Sequence, residues 1–113
     1  MQIDSYSFGE IEVNGKKYTN DLIIFPNRVK DNWWRDEGHL LQVQDLKEVF
    51  EENPGVLIVG KGANGRMDVS QEVEERCERE GVELRAMKTE KVKHVFNKLE
   101  NQKNVFAAIH LTC

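Results

Sequence analysis

A chain of 113 residues with 39% hydrophobic and 8% aromatic content reads as one globular domain, residues 1–113, with room for a single core. A net charge of −4 argues against a nucleic-acid partner, which would need a basic surface. No apolar run approaches the ~20 residues of a membrane helix, and Met1-Gln2-Ile3-Asp4-Ser5 has neither the basic start nor the apolar stretch of a signal peptide.

The N-terminal third reads as strands. Phe8, Ile11 and Val13 precede Asn14-Gly15, and Tyr18 follows. Asn-Gly between short strand-like runs predicts a hairpin, because both residues tolerate the positive φ of a type I′ turn. Leu22-Ile23-Ile24-Phe25 is a second apolar run stopped by Pro26-Asn27, and a further strand is expected from Val29 to Arg35. The remainder alternates helix and strand. Leu46, Val49 and Phe50 fall at helical spacing with Asp45 as cap, and Asn53-Pro54-Gly55 ends that helix. Strand Val56–Val59 follows. Val69, Val73 and Cys77 form an i, i+4, i+8 stripe, with Ser70 as cap and Gly81 as terminator. Val82 to Met87 reads as a strand. Thr89 is expected to cap a helix carrying Val92, Val95, Phe96 and Leu99. The run Val105 to Leu111 is apolar at nearly every position, the mark of a central strand covered on both faces. The pattern predicts a three-layer α/β domain with an N-terminal β layer, a mixed central sheet and helices.

The run Val56-Leu57-Ile58-Val59 delivers Gly60-Lys61-Gly62-Ala63-Asn64-Gly65, a glycine-rich turn at a strand end, where α/β proteins build sites. Gly60, Gly62 and Gly65 have the spacing of the dinucleotide fingerprint. That motif needs its helix to begin within the glycines and an acid at the end of the next strand. Here Arg66-Met67-Asp68-Val69 intervenes and the next strand ends Ala86-Met87-Lys88. No cofactor is therefore expected. The plain alternative is a loop that needs glycine backbone angles.

Trp33-Trp34-Arg35-Asp36-Glu37-Gly38-His39 is the second unusual cluster. A guanidinium beside indoles can stack and still fork onto an anion, and His39 sits on a turn. The other reading is an indole that anchors the loop and an arginine that satisfies carbonyls. His110 lies inside the two-sided apolar strand, so its donor nitrogen needs a partner. It is either a satisfied core residue or a functional one. Cys113 could pair with His110 only if the strand ends and turns after His110. Two cysteines without Cys-x-x-Cys exclude a disulfide scaffold, and both thiols are expected free in a cytoplasmic protein. His39, His94 and His110 have no metal spacing, so no metal is expected. Residues 68–80 carry six acids and two bases, and residues 82–113 carry six bases, Lys103 among them, and three acids. These are solvated helix faces or complementary patches for a partner or for self-association.

The order of these pieces resembles the small domain of the animal adipogenesis-associated protein, the mitochondrial complex I assembly factor and many archaeal and bacterial proteins. It rests on Phe8-Gly9 before the Asn-Gly turn, Tyr18 with Asp21, and Trp34-Arg35 followed by Gly38 and His39. It continues through Asp45-Leu46-Lys47-Glu48-Val49, Val59-Gly60-Lys61-Gly62 and Thr89-Glu90-Lys91 with Asn97, and closes on His110-x-Thr112-Cys113. Val92, where relatives carry alanine, and Gly65 depart from the pattern. The resemblance implies a three-layer fold around a mixed five-stranded sheet with one strand antiparallel to the rest, and it implies no known catalytic activity. A mitochondrial leader is not expected.

Two function classes follow. One is a non-enzymatic interaction or assembly module with a protein partner. The other is a binder of, or enzyme acting on, a small anionic ligand, with Arg35, His39, Gly60, Lys61, Gly62, Asn64 and His110 as its candidate site.

Overall fold

The Asn14-Gly15 turn organises the first layer. In a computed structural model, which describes residues 1–102 and 104–113, β1 (Ile3–Ser7), β2 (Glu10–Val13) and β3 (Lys16–Tyr18) form an antiparallel sheet in that order. Lys103, one of the six C-terminal bases, lies outside the described residues. Asn14 (φ 50°) and Gly15 (φ 78°) hold the paired positive angles of a type I′ turn. Phe8 is not a strand residue as expected. It sits with Gly9 (φ 79°) in the turn between β1 and β2, 63% exposed.

The chain then lays down β4 (Leu22–Ile24) and β5 (Val29–Lys30). Phe25 N–H donates to Arg28 O at 2.8 Å, closing the turn around Pro26-Asn27. The strand expected to run to Arg35 stops at Lys30, because Asn32 takes φ 57° and sends Trp33 back to Asp21 O. Next come β6 (Leu40–Leu41), a 3₁₀ turn (Val43–Leu46) and α1 (Lys47–Glu51). Asp45 caps earlier than expected. Its Oδ2 accepts from Gln42 N–H at 2.9 Å, so it caps the 3₁₀ turn rather than the helix.

The strand β7 (Val56–Lys61) runs two residues beyond the apolar stretch, and β8 (Asp68–Val69) pairs in parallel with β6. Val69 therefore belongs to a strand, and the buried stripe of α2 (Gln71–Glu80) is Val73 and Cys77 alone. Ser70 does cap α2, its hydroxyl accepting from Val73 N–H, and Gly81 at φ 72° ends it. After β9 (Glu83–Met87) and α3 (Thr89–Leu99), β10 (Val105–His110) enters the middle of the sheet.

The five-stranded sheet has the order β5-β4-β10-β7-β9. Strands β10, β7 and β9 are mutually parallel, β4 is antiparallel to β10, and β5 is antiparallel to β4. Only β4 therefore runs against the others, the mixed sheet expected. One face packs Phe106 and Ala108 against α1 and α2 through Val49, Phe50, Val73 and Cys77. The other packs Val105, Ala107 and Ile109 against Ile3, Ile11 and Val13 of the N-terminal sheet and Val92 and Phe96 of α3. Asn97 clamps those last two elements together. It accepts from Ile3 N–H and donates to Ile3 O, both at 2.8 Å.

Candidate functional site: a buried Asp-Arg-His cluster beneath Trp34

The antiparallel pairing of β4 with β10 places Asp21, just ahead of β4, beside the end of β10. There His110 Nδ1 lies 2.7 Å from Asp21 Oδ2. Arg35 Nη2 reaches the same oxygen at 2.9 Å and stands 3.2 Å from His110 Nδ1. A guanidinium only donates, so Nδ1 cannot serve both neighbours. The shorter contact is to the carboxylate, and the network assigns the Nδ1–H to Asp21. In the neutral ring Nε2 is then the nitrogen with a free lone pair.

Asp21 Oδ1 accepts from Leu111 N–H at 2.8 Å. Burial pushes the Asp21 carboxyl up, but hydrogen bonds from His110, Leu111 N–H and Arg35 outweigh it and hold the group below the usual carboxylate range. The Arg35 side chain is 5% exposed. Its Nε and Nη2 donate to Gly38 O at 3.3 and 3.0 Å, and its guanidinium lies 4.8 Å from the Trp33 ring. Trp33 is buried and donates its indole N–H to Asp45 O at 3.0 Å. These anchors hold the Trp33–Gly38 loop, from which Trp34 projects 79% exposed. Trp34 borders a groove of ≈ 340 Å³ with Asp21 and Arg35 on its wall, and another of ≈ 570 Å³ that runs to Lys47 and Glu48.

The glycine loop grips its own chain. Strand β10 ends at His110, and the following residues turn onto the loop. Ala63 N–H donates to Thr112 O at 2.7 Å, and Asn64 and Arg66 N–H donate to Cys113 O at 3.1 and 3.2 Å. These are the donors an anion would use, and here they are engaged. Gly62 has φ 100°, and a Cβ there would stand 2.4 Å from the Cys113 carbonyl carbon, 2.5 Å from Thr112 O and 2.8 Å from His110 Cδ2. At Gly60 a Cβ would stand 2.9 Å from Thr89 Oγ1 and 3.2 Å from Val92. Both glycines therefore serve close packing. The helix after the loop begins at Gln71, beyond β8, so its N-terminus does not meet the glycines.

Thr89 is not the cap of α3; Lys88 holds that position. Thr89 instead ties the end of β10 to the glycine loop, its hydroxyl donating to His110 O at 2.7 Å and accepting from Gly62 N–H at 2.8 Å.

Of the sequence-derived site residues, Arg35 and His110 meet directly, Gly62 leaves no room for a Cβ beside the His110 ring, and the exposed His39 ring lies 6.1 Å from the His110 ring. Lys61 pairs in register with His110 on the neighbouring strand. Gly60 lies under Thr89, and Asn64 faces outward, exposed. Asp21 and Thr89 were missed as site residues. An acid directly before an apolar strand is the one local signal for Asp21. Among the described residues, two buried polar side-chain atoms lack partners, Arg35 Nη1 and His110 Nε2, and no group of three His, Cys, Asp or Glu side chains could hold a metal.

Residues 3–110 match the family described as "Protein of unknown function (DUF498/DUF598)". The chain belongs to this family. It is similar over its whole length to a conserved hypothetical protein of Pyrococcus horikoshii, with 26% identity, a TM-score of 0.85 and 100% of both chains covered. A protein of Bordetella pertussis described as a Mth938-like domain matches at 20% identity and TM-score 0.69, over 97% of this chain and 85% of that one. A Bartonella henselae structure described as an outer membrane protein matches at 20% identity and TM-score 0.80, over 98% and 94%. At those two identities the likeness shows the fold alone. The family description names no reaction, and among the described residues no helix is long and apolar enough to cross a membrane.

Proposed function

We propose that the protein is a non-enzymatic interaction or assembly-type module that engages a protein partner through Trp34. One observation carries this reading: Trp33 and Arg35 hold the loop from beneath, and what it displays is an indole 79% exposed. Tryptophan is among the commonest anchors of protein interfaces, because a large rigid ring buries area at little entropy cost. Grooves on either side of Trp34 offer room for the partner's own side chains. The resemblance to a respiratory assembly factor points the same way. The partner would supply an apolar cleft with a polar rim. Cys77 and Cys113 are free thiols, which supports a cytoplasmic setting.

The second reading, a small anionic ligand, is favoured by Arg35 Nη1, a buried donor without a partner beside the groove at Asp21. A photoreactive benzoylphenylalanine at Trp34 or at exposed Lys93 of α3 separates the two in the protein's own cells. Position 34 is expected to yield one discrete protein adduct that position 93 does not. Identical adduct patterns from both sites would sink the interaction role.

A further inference from the structure

Strand β9 is one edge of the five-stranded sheet, and among the described residues no strand pairs with its outer side. Its inner side joins β7 in an unbroken parallel register, and Glu83 N–H donates to Gly55 O at 3.0 Å. Main-chain groups alternate in direction along a strand, so Glu83, Arg85 and Met87 turn theirs toward β7. Leu84 and Ala86 therefore turn N–H and C=O outward, and Val82 turns its C=O outward. Ala86 is exposed and Leu84 is half-buried. Edges are commonly blunted by proline, by a bulge or by very short strands. Residues Glu83–Met87 contain no proline and no break in register. The opposite edge, β5, is only two residues long and runs into the turn at Asn32.

We propose that β9 is a dimer seam, at which two copies of this chain pair their β9 strands antiparallel about a two-fold axis through Leu84. The main-chain directions and the charges select that register. Leu84 against Leu84 is a hydrogen-bonded pair, each N–H donating to the C=O of the other copy. Each Ala86 N–H then meets Val82 O of the other copy. Val82 N–H stays with Cys77 O, its acceptor at 2.8 Å within the chain. The flanking pairs are the ones whose side chains approach closest, and they set Glu83 of each copy opposite Arg85 of the other. Glu83 and Arg85 are both exposed and already form an ion pair along one side of the strand. An axis through Glu83 or through Arg85 would set like charges face to face. An axis through Ala86 would put Glu83 opposite Thr89, where α3 has begun. On the other side of the strand, Leu84 packs at the margin of the core beneath α2, and its copy extends that apolar strip across the axis. The seam lies at the far edge of the sheet from β5, which leads into the Trp34 loop. The dimer leaves both Trp34 loops free, and it stands or falls separately from the Trp34 reading.

Sedimentation velocity over a dilution series from about 1 mM downward measures the self-association. Wild type is expected to show a reversible monomer–dimer equilibrium that Trp34→Ala leaves unchanged. Arg85→Glu and Glu83→Arg are each expected to weaken the dimer at least about tenfold, because both cross-strand pairs turn repulsive. An equimolar mixture of those two variants is expected to regain the dimer as a heterodimer, identified in native mass spectra by the two different chain masses. Ala86→Pro removes an outward N–H, spares the ladder to β7 and is also expected to give monomer. A wild type that stays monomeric at the highest concentration would overturn the proposal. So would a dimer that keeps wild-type affinity in Arg85→Glu, or charge variants that show no preference for the mixed pair. Glu83 and Arg85 are exposed, so their variants keep the fold, and they decide alone if Ala86→Pro does not fold.

Discussion

Asp21→Ala is expected to destabilise the fold by about 3 kcal/mol, the cost of leaving one partner of a buried ion pair uncompensated. The substitution strands the Arg35 guanidinium, whose side chain is 5% exposed, and removes the acceptors of His110 Nδ1–H and Leu111 N–H. The figure sits at the low end of the range because the Asp21 side chain keeps 18% of its surface in water. Urea unfolding of the two proteins at pH 7 measures it as a shift in midpoint at unchanged slope.

The effect has a defined pH dependence. The folded-state pKa of Asp21 lies below its unfolded value, so the folded state binds this proton less readily than the unfolded chain. The stabilisation is present above the unfolded carboxylate pKa of about 4, and it is lost as pH falls through the lower folded value. The wild-type advantage over Asp21→Ala is therefore expected to be level from pH 5 to 7 and to shrink below about pH 4. An advantage that grows on acidification would exclude a charged Asp21 as the holding group.

Gly62→Ala is expected to be the most damaging single-methyl change in the chain. The residue's φ of 100° is strained for any L side chain, and the new Cβ would lie 2.4 Å from main-chain carbon of Cys113. Backbone atoms do not rotate aside, so the turn over the glycine loop must lift away. The backbone strain costs about 1–3 kcal/mol, and the lost hydrogen bonds from Ala63, Asn64 and Arg66 bring the total above about 3 kcal/mol. Gly15→Ala is the control. Its φ of 78° is equally positive, but nothing lies within 4 Å of the added Cβ, so only the backbone term of about 1 kcal/mol applies. Amide hydrogen exchange at Ala63, Asn64 and Arg66 should speed up in Gly62→Ala and stay unchanged in Gly15→Ala.

What could be read from the sequence was what recurs locally. Asn14-Gly15 names its own turn, Ser70 and Gly81 bracket α2, and the unbroken apolar run of β10 reports burial on both faces. The misreadings share a cause. Strands β6 and β8 are two residues long, too short to show a period of two, so Val69 passed for a helical position. Thr89 has the residue type of a cap, yet its hydroxyl is claimed by His110 O across the fold. Asp21 and His110 are 89 residues apart, and no local pattern records that β4 and β10 run side by side. That the chain's own end fills the glycine loop is not legible locally, because the segment that fills it arrives from the far end of the chain.

Native mass spectrometry of the protein isolated from its own cells tests the interaction role most directly, with wild type and Trp34→Ala prepared in parallel. Trp34 is 79% exposed, so its truncation leaves the core intact. The expected result is a wild-type complex of this chain with a protein partner in fixed stoichiometry, absent from the Trp34→Ala preparation. A wild-type chain that carries only a bound small anion, kept unchanged in Trp34→Ala, would contradict it.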